Sequence, residues 1–293
     1  MQILGSVHFE KCLPESFSAI SATTSRMALR DSIINDRTPA QYCRLYLTEL
    51  ERLIERLENS FNVHLKEQPI FEWLVDGEPQ FSPCWRFEHV MVLRCLSNSL
   101  IHDARERLRD GDFKGGKALF KEAQEVCEKA RDGPVRKWTF KDMPTLLCSY
   151  KSFWDGEIDR CESYSHLSSF QFAIKTGHAE NSKSHNILNI VCKKLLHATT
   201  NAVAHSPDVA LMHDLAFLLK AYIHAQKLWS EGNYPDALAV ADYESVSKPN
   251  IPEAHVLLQW MVEREELFQS WRHESANVHF VTKSQQMPEI PTA

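Results

Sequence analysis

Glycine is scarce in this sequence, with 9 residues in 293. Glycine supplies tight turns and breaks helices, so its scarcity points to long elements joined by few sharp turns. No C-x-x-C pair occurs. The eight cysteines, Cys12, Cys43, Cys84, Cys95, Cys127, Cys148, Cys161 and Cys192, are dispersed. That excludes the usual zinc spacing and suits thiols in a reducing compartment. No window approaches the ~18 apolar residues of a membrane span. The most apolar stretch, Val209 to Ile223, is interrupted by His213, Asp214 and Lys220. The start, Met1-Gln2-Ile3-Leu4-Gly5, lacks the basic and apolar regions of a secretion signal, and no prenylation cysteine follows at the end. These absences predict a cytoplasmic protein that reaches membranes only through partners. The 33 Lys and Arg residues form no basic block, and the net charge is -6. A nucleic-acid binder shows a basic stripe, so that partner class is not expected.

Against these absences stands enough apolar content for a core, 43%, with 25% charged residues. The pattern is helical. Pro39 opens a long helix whose apolar positions Leu45, Leu47, Leu50, Leu53, Ile54, Leu57 and Phe61 recur at helical spacing. Thr24 or Ser25 reads as the cap of a short helix through Ile34. Pro69 to Val75 reads as a short extended piece ending at Asp76-Gly77. Ser82-Pro83 is a cap followed by proline at the first helical position, opening a helix to Arg109. Further helices are predicted over Phe113 to Arg131, from Asp142 and Pro144 to Thr176, over Asn186 to Ala204, and from Ser206-Pro207 to Glu231. His178 to His185 reads as a polar loop. Pro235 to Ser245 and Pro252 to Trp271 close the helical part. Ala221 to Glu244 looks like a tetratricopeptide-type hairpin turning at Gly232. Trp138, Trp154, Trp229 and Trp260 read as packing anchors.

The chemistry-bearing motifs are few. Gly111 to Lys117 has the G-x-x-x-x-G-K spacing of a phosphate-binding loop, but Ala118 stands where magnesium needs Ser or Thr, and a helix precedes it. A helix–helix turn is the expectation. The 14 histidines include no H-E-x-x-H, and no G-x-S-x-G elbow occurs. The expectation is a scaffold and not an enzyme, with no cofactor and no metal.

Several segments in order resemble one family. Phe71-Glu72-Trp73 is similar to its aromatic–x–tryptophan segment. Arg86 to Leu96 resembles its next helix, with Phe87, Glu88, Val92 and Leu93 matching. Asp112 to Ala130 is similar to its following helix, entered through a glycine-rich turn. Pro144, Leu147 and Cys161 keep the spacing of a further helix. Ile3 to Leu13, Leu29-Arg30 with Tyr46 to Phe61, and Asn277 to Ala293 resemble its end segments. The chain is thereby identified as similar to the Bro-one domain family, the Alix-like, ESCRT-associated scaffolds, in a divergent and short form. The resemblance implies an all-α, curved, banana-shaped antiparallel helical scaffold with a tetratricopeptide-like hairpin. It implies a single domain over 1–293, with an extended arm (1–14), a helical body (23–272) and an extended tail (275–293). It also implies a groove for the C-terminal amphipathic helix of an ESCRT-III subunit, in endosomal sorting or membrane scission, with recruitment to endosomes.

By that match, Ile187 and Val191 are groove anchors one helical turn apart. The aromatic on the preceding helix is open. Matching backwards from Lys175 selects Phe172; matching forwards from Pro144 puts Glu162 there. Phe172 is preferred, because an apolar groove needs an apolar residue. A buried core stripe would carry the same residues, so core packing stands beside the groove reading. A divergent adaptor of another assembly, without ESCRT-III binding, is the alternative function.

Overall fold

The computed structural model describes residues 1–35, 39–60, 65–75, 77–139, 146–179, 182–201, 207–231, 252–261 and 263. Over these residues the chain is predominantly helical, as the sequence pattern predicts. The helices are α1 (Phe9–Cys12), α2 (Ile20–Ile34), α3 (Ala40–Asn59), α4 (Trp85–Arg109), α5 (Phe113–Ala130), α6 (Lys151–Lys175), α7 (Ser182–Asn201) and α8 (Pro207–Ser230). Residues 255–261 are helical as well. Three strands, β1 (Gln2–Ile3), β2 (Phe71–Val75) and β3 (Glu78–Ser82), form an antiparallel sheet in chain order. The chain divides into two compact units, Met1–Ala104 with Leu119–Ile158, and Arg105–Ala118 with Asp159–Ala293.

In the first unit β2 alternates. Phe71, Trp73 and Val75 are buried while Glu72 and Leu74 are partly exposed, which is the period of a sheet with one covered face. Val75 pairs with Glu78 where β2 meets β3. Gly77, just before β3, sits at φ 86°, a conformation that side chains with a Cβ resist. Phe9, Phe71 and Trp85 pack ring on ring at 5.3–6.1 Å between centroids, closing the inner face of the sheet against α1 and the start of α4. That helix is buried nearly all round its first four turns, with Phe87, Val90, Met91, Val92 and Leu93 at 0% exposure. A helix apolar on every side belongs at the centre of its unit.

The centre of α4 also holds a charge. Glu88 is fully buried. It accepts from Arg26 Nε at 2.7 Å, Tyr46 Oη at 2.9 Å and Trp73 Nε1 at 2.6 Å. Arg26, itself buried, donates a second bond to the Gly5 carbonyl at 2.6 Å. One carboxylate thus joins α2, α3, β2 and α4, and the guanidinium fixes the chain after β1. Burial works against the Arg26 charge, but the adjoining Glu88 more than offsets it and raises the guanidinium pKa. Burial, then the same carboxylate, pushes the Tyr46 phenol well above its ordinary value.

Several expectations are corrected. The arm over 1–14 is not extended throughout, because Phe9–Cys12 is a helical turn that buries Phe9 and Cys12. Helix α2 begins at Ile20, before Thr24, with no side-chain cap. Leu45 is 61% exposed: the stripe of α3 that meets the core runs through Cys43, Tyr46, Leu47, Leu50 and Leu53. The Ser82 hydroxyl does receive the Cys84 N–H at 3.1 Å, but Ser82 also ends a strand that the reading of Asp76-Gly77 as a terminus missed. Helix α6 starts at Lys151 and α7 at Ser182, so the loop after α6 is shorter than His178 to His185. Phe61, the Asp142 and Pro144 helix start, the 232–244 part of the tetratricopeptide-like hairpin, the Pro235 to Ser245 helix, the 264–271 helix end and the 275–293 tail lie outside the described residues, as does the Trp229 side chain. Trp154 and Trp260 are buried. All eight cysteines are thiols.

The Gly111-to-Lys117 spacing is a helix–helix turn. Gly111, at φ 78°, ends α4, and the Asp112 carboxylate caps α5 by accepting the Gly115 N–H at 2.9 Å. A Cβ on Gly115 would stand 2.1 Å from Asp112 Oδ2, so the cap itself requires the glycine.

Two outcomes follow for the first unit. Glu88→Gln leaves a buried guanidinium unopposed and lowers the unfolding free energy by about 3–5 kcal/mol, measured by urea denaturation. The Glu51 carboxylate is the second case. Burial raises its pKa, but His89 at 2.9 Å and Lys129 at 2.6 Å lower it further than that, so the net shift is downward. A depressed folded pKa stabilises above the unfolded value and fades as pH falls through the folded one. Glu51→Gln therefore costs at most about 1 kcal/mol at neutral pH. The difference from the parent closes on acidification below the ordinary carboxylate range, read as the pH dependence of the melting temperature.

Candidate functional site

The residues singled out by sequence lie in the second unit. Helix α6 has a serine-rich buried face there, with Ser163, Ser165 and Ser168 among Cys161, Tyr164, Leu167 and Phe170. The Ser163 and Ser168 hydroxyls are satisfied by carbonyls one turn back, at 2.7 and 2.8 Å, so small side chains permit close approach without orphaned donors. Helices α7 and α8 pack on each other, and Leu188, Val191, Leu195 and Ala198 of α7 and Met212, Leu215, Ala216 and Leu219 of α8 are all buried. The Cys192 thiol donates to the Ala216 carbonyl at 3.3 Å. Trp260 wedges between Phe170 and Tyr222 with centroids at 5.6 and 5.5 Å.

At the end of α6 two neighbouring residues take opposite roles. Gln171 is buried. Its amide donates to the Glu253 carbonyl at 2.6 Å and accepts the Val256 N–H at 3.0 Å, which fixes the entry to the 255–261 helix. Glu253, fully buried, is ion-paired with Arg105. Phe172, one residue on, turns outward at 39% exposure, and the Lys114 ammonium lies 4.9 Å from its ring centroid. On the Gln171 side runs an open cleft of about 710 Å³ lined by Leu108, Phe113, Lys175, His255 and Val256.

The structure separates the three candidate anchors. Phe172 presents its ring to solvent, Ile187 is half-buried, and Val191 has 0% exposure. Val191 is core: it shares the buried stripe of Leu188, Leu195 and Ala198. The outward apolar residue of α7 is Ile190, 42% exposed, three positions from Ile187 and so on the same side of the helix. Sequence reasoning missed it. The signal was the 188–191–195–198 repeat, which leaves 187 and 190 off the buried stripe. The rival alignment places Glu162, whose carboxylate takes the Lys194 ammonium at 2.7 Å and lies 3.7 Å from His166. A carboxylate so engaged is no apolar anchor.

The α6–α7 contact is electrostatic at its far end. Lys194 also reaches Asp159 at 3.0 Å, and the His197 ring bonds the same carboxylate. Burial disfavours the Lys194 charge, but the two carboxylates outweigh it and raise its pKa. Among the described residues no group of three or more His, Cys, Asp or Glu side chains is arranged to hold a metal, and no helix is long and apolar enough to cross a membrane. No family model and no curated protein matches the chain.

Substitution separates core from surface here. Val191→Asp buries an unpaired charge and lowers stability by more than about 3 kcal/mol, whereas Phe172→Asp stays within roughly 1 kcal/mol of the parent. Thermal melts of the two variants, followed by circular dichroism, check both.

Proposed function

We propose that the chain is a non-enzymatic protein-binding scaffold, similar to Bro-one domains, that receives the C-terminal amphipathic helix of an ESCRT-III subunit. The observation that carries this reading is the outward Phe172 ring at the end of α6, 39% exposed on a rigidly clamped turn. An aromatic ring held in water by its neighbours is the side chain that a visiting helix can bury. Ile187 and Ile190 add apolar surface on α7. Each anchor of this size contributes about 1.5–3 kcal/mol on full burial, before the cost of association.

The buried cluster supports the same family reading. Trp73, Glu88 and Tyr46 come from three of the segments that carry the resemblance, and all three side chains meet at one carboxylate. In this reading the protein is cytoplasmic and comes to endosomal membranes through its partner.

One observation favours the second reading, a divergent adaptor without ESCRT-III binding. Val191 is core, so an anchor that the resemblance implies is missing from the surface.

The two readings part in a binding experiment with a fluorescent peptide of an ESCRT-III C-terminal helix. The docking reading expects saturable anisotropy that weakens at least about tenfold in Phe172→Asp and in Ile190→Asp. No binding by the parent chain, or binding indifferent to both substitutions, leaves the second reading.

A further inference from the structure

The first unit leaves one side of its small sheet open. Residues opposite each other in an antiparallel pair point to the same side, so the register sorts the sheet into two faces. Phe71, Trp73 and Val75 lie on the buried one. On the other, Glu72 stands opposite Phe81, and Leu74 lies between Gln2 and Pro79. The Leu4 N–H donates to the Glu72 carbonyl at 3.1 Å, which puts Leu4 in the row of Glu72 and Phe81. An antiparallel sheet covered on one side normally carries polar residues on the other. Here Leu4, Leu74, Pro79 and Phe81 occupy that side, with Leu4 42% and Phe81 53% exposed. Ile70, two residues before Glu72, is 58% exposed. A contiguous apolar patch of this kind marks an interaction site.

The edges of the sheet are poor places for an added strand. Pro79 in β3 has no N–H to offer, and β1 is two residues long. The face itself is the docking surface, and its size limits the occupant. Strands β2 and β3 are each five residues long. Three strands of that spacing and length give a patch roughly 10 Å by 17 Å, the footprint of one helix of about three turns. Charge limits the occupant further. Glu72 stands among the apolar side chains, partly exposed, and among the described residues its carboxylate has no ion pair. It leans over Gly5, where an added Cβ would come within 2.7 Å of Glu72 Oε2. Arg26, which holds the Gly5 carbonyl, is turned inward to Glu88. A helix laid over this face buries Glu72, and a buried carboxylate without a partner is costly. The occupant must therefore bring a cation.

We propose that this face docks a short amphipathic helix of a partner protein, with one Lys or Arg inside its apolar stripe set against Glu72. The apolar side chains of that helix cover Leu4, Leu74 and Phe81, and its cation neutralises the carboxylate. The proposal is independent of the docking surface on α6 and α7, which lies in the other unit.

The test uses the full ¹⁵N-labelled chain and two synthetic helical peptides of about four turns. The two are alike except that the middle of a leucine stripe carries Lys in one and Glu in the other. The Lys peptide is expected to shift the amide signals of Leu4, Leu74 and Phe81 saturably. The Glu peptide binds at least about tenfold more weakly. Glu72→Lys reverses the order of the two peptides, a result that damage to the fold cannot produce. Phe81→Ser, at an exposed position, weakens the Lys peptide while the melting curve stays that of the parent. The proposal is overturned if neither peptide saturates, or if the two rank the same way on Glu72→Lys as on the parent. It is also overturned if sedimentation shows a parent dimer that Phe81→Ser separates, because a second copy then occupies the face.

Discussion

One buried carboxylate organises the first unit. Glu88 has no contact with water, and three donors from three different elements converge on it. Desolvating such a charge costs several kcal/mol unless paired and hydrogen-bonded. The four elements must therefore come together in one register or not at all. An apolar core tolerates small slips, whereas this cluster does not. Arg26 extends the constraint to the chain after β1 through the Gly5 carbonyl. The small sheet, marginal by itself, is thus fastened by a side chain on each of its first two strands' flanks: Trp73 within β2 and Arg26 against Gly5.

The second unit uses a neutral version of the same device. The buried amide of Gln171 both donates to and accepts from the chain around 253–256, so the last turns of α6 cannot rotate freely. The consequence falls on the next residue: with Gln171 turned in, Phe172 is turned out. Exposure of that ring follows from the helix's 100° step and from the clamp beside it. A surface set by a rigid scaffold loses little entropy when a partner arrives. This is how the packing of the unit connects to the docking function proposed for it.

The helical class was legible in the sequence because periodicity reports buried stripes directly. The repeat in α3 and the Gly-and-Pro punctuation at Gly111 and Pro207 needed no tertiary information. The hairpin strand β3 was not legible. Glu-Pro-Gln-Phe-Ser alternates poorly and has a proline at its second position, tolerated because β3 is an edge strand. The role of Glu88 was hidden too, since a glutamate in an amphipathic stretch reads as surface until its three donors are seen arriving from elsewhere in the chain. At the candidate site the resemblance points to α6 and α7, and the structure divides the residues it names between surface and core. Phe172 lies at the surface and Val191 in the core, because adjacent faces of α7 differ by one residue and a short motif does not fix the phase. Trp138 was read as a packing anchor, yet it lines a cleft, and its indole N–H has no acceptor among the described residues.

The account turns on whether the end of α6 and the outer face of α7 receive a helix. Amide hydrogen exchange of the chain, alone and with a synthetic ESCRT-III C-terminal helix, addresses this most directly. The docking account predicts slowed exchange confined to the last turns of α6 around Phe172 and the first turns of α7 around Ile187 and Ile190. Exchange that is unchanged there, or slowed only in the unit containing the sheet, would contradict it.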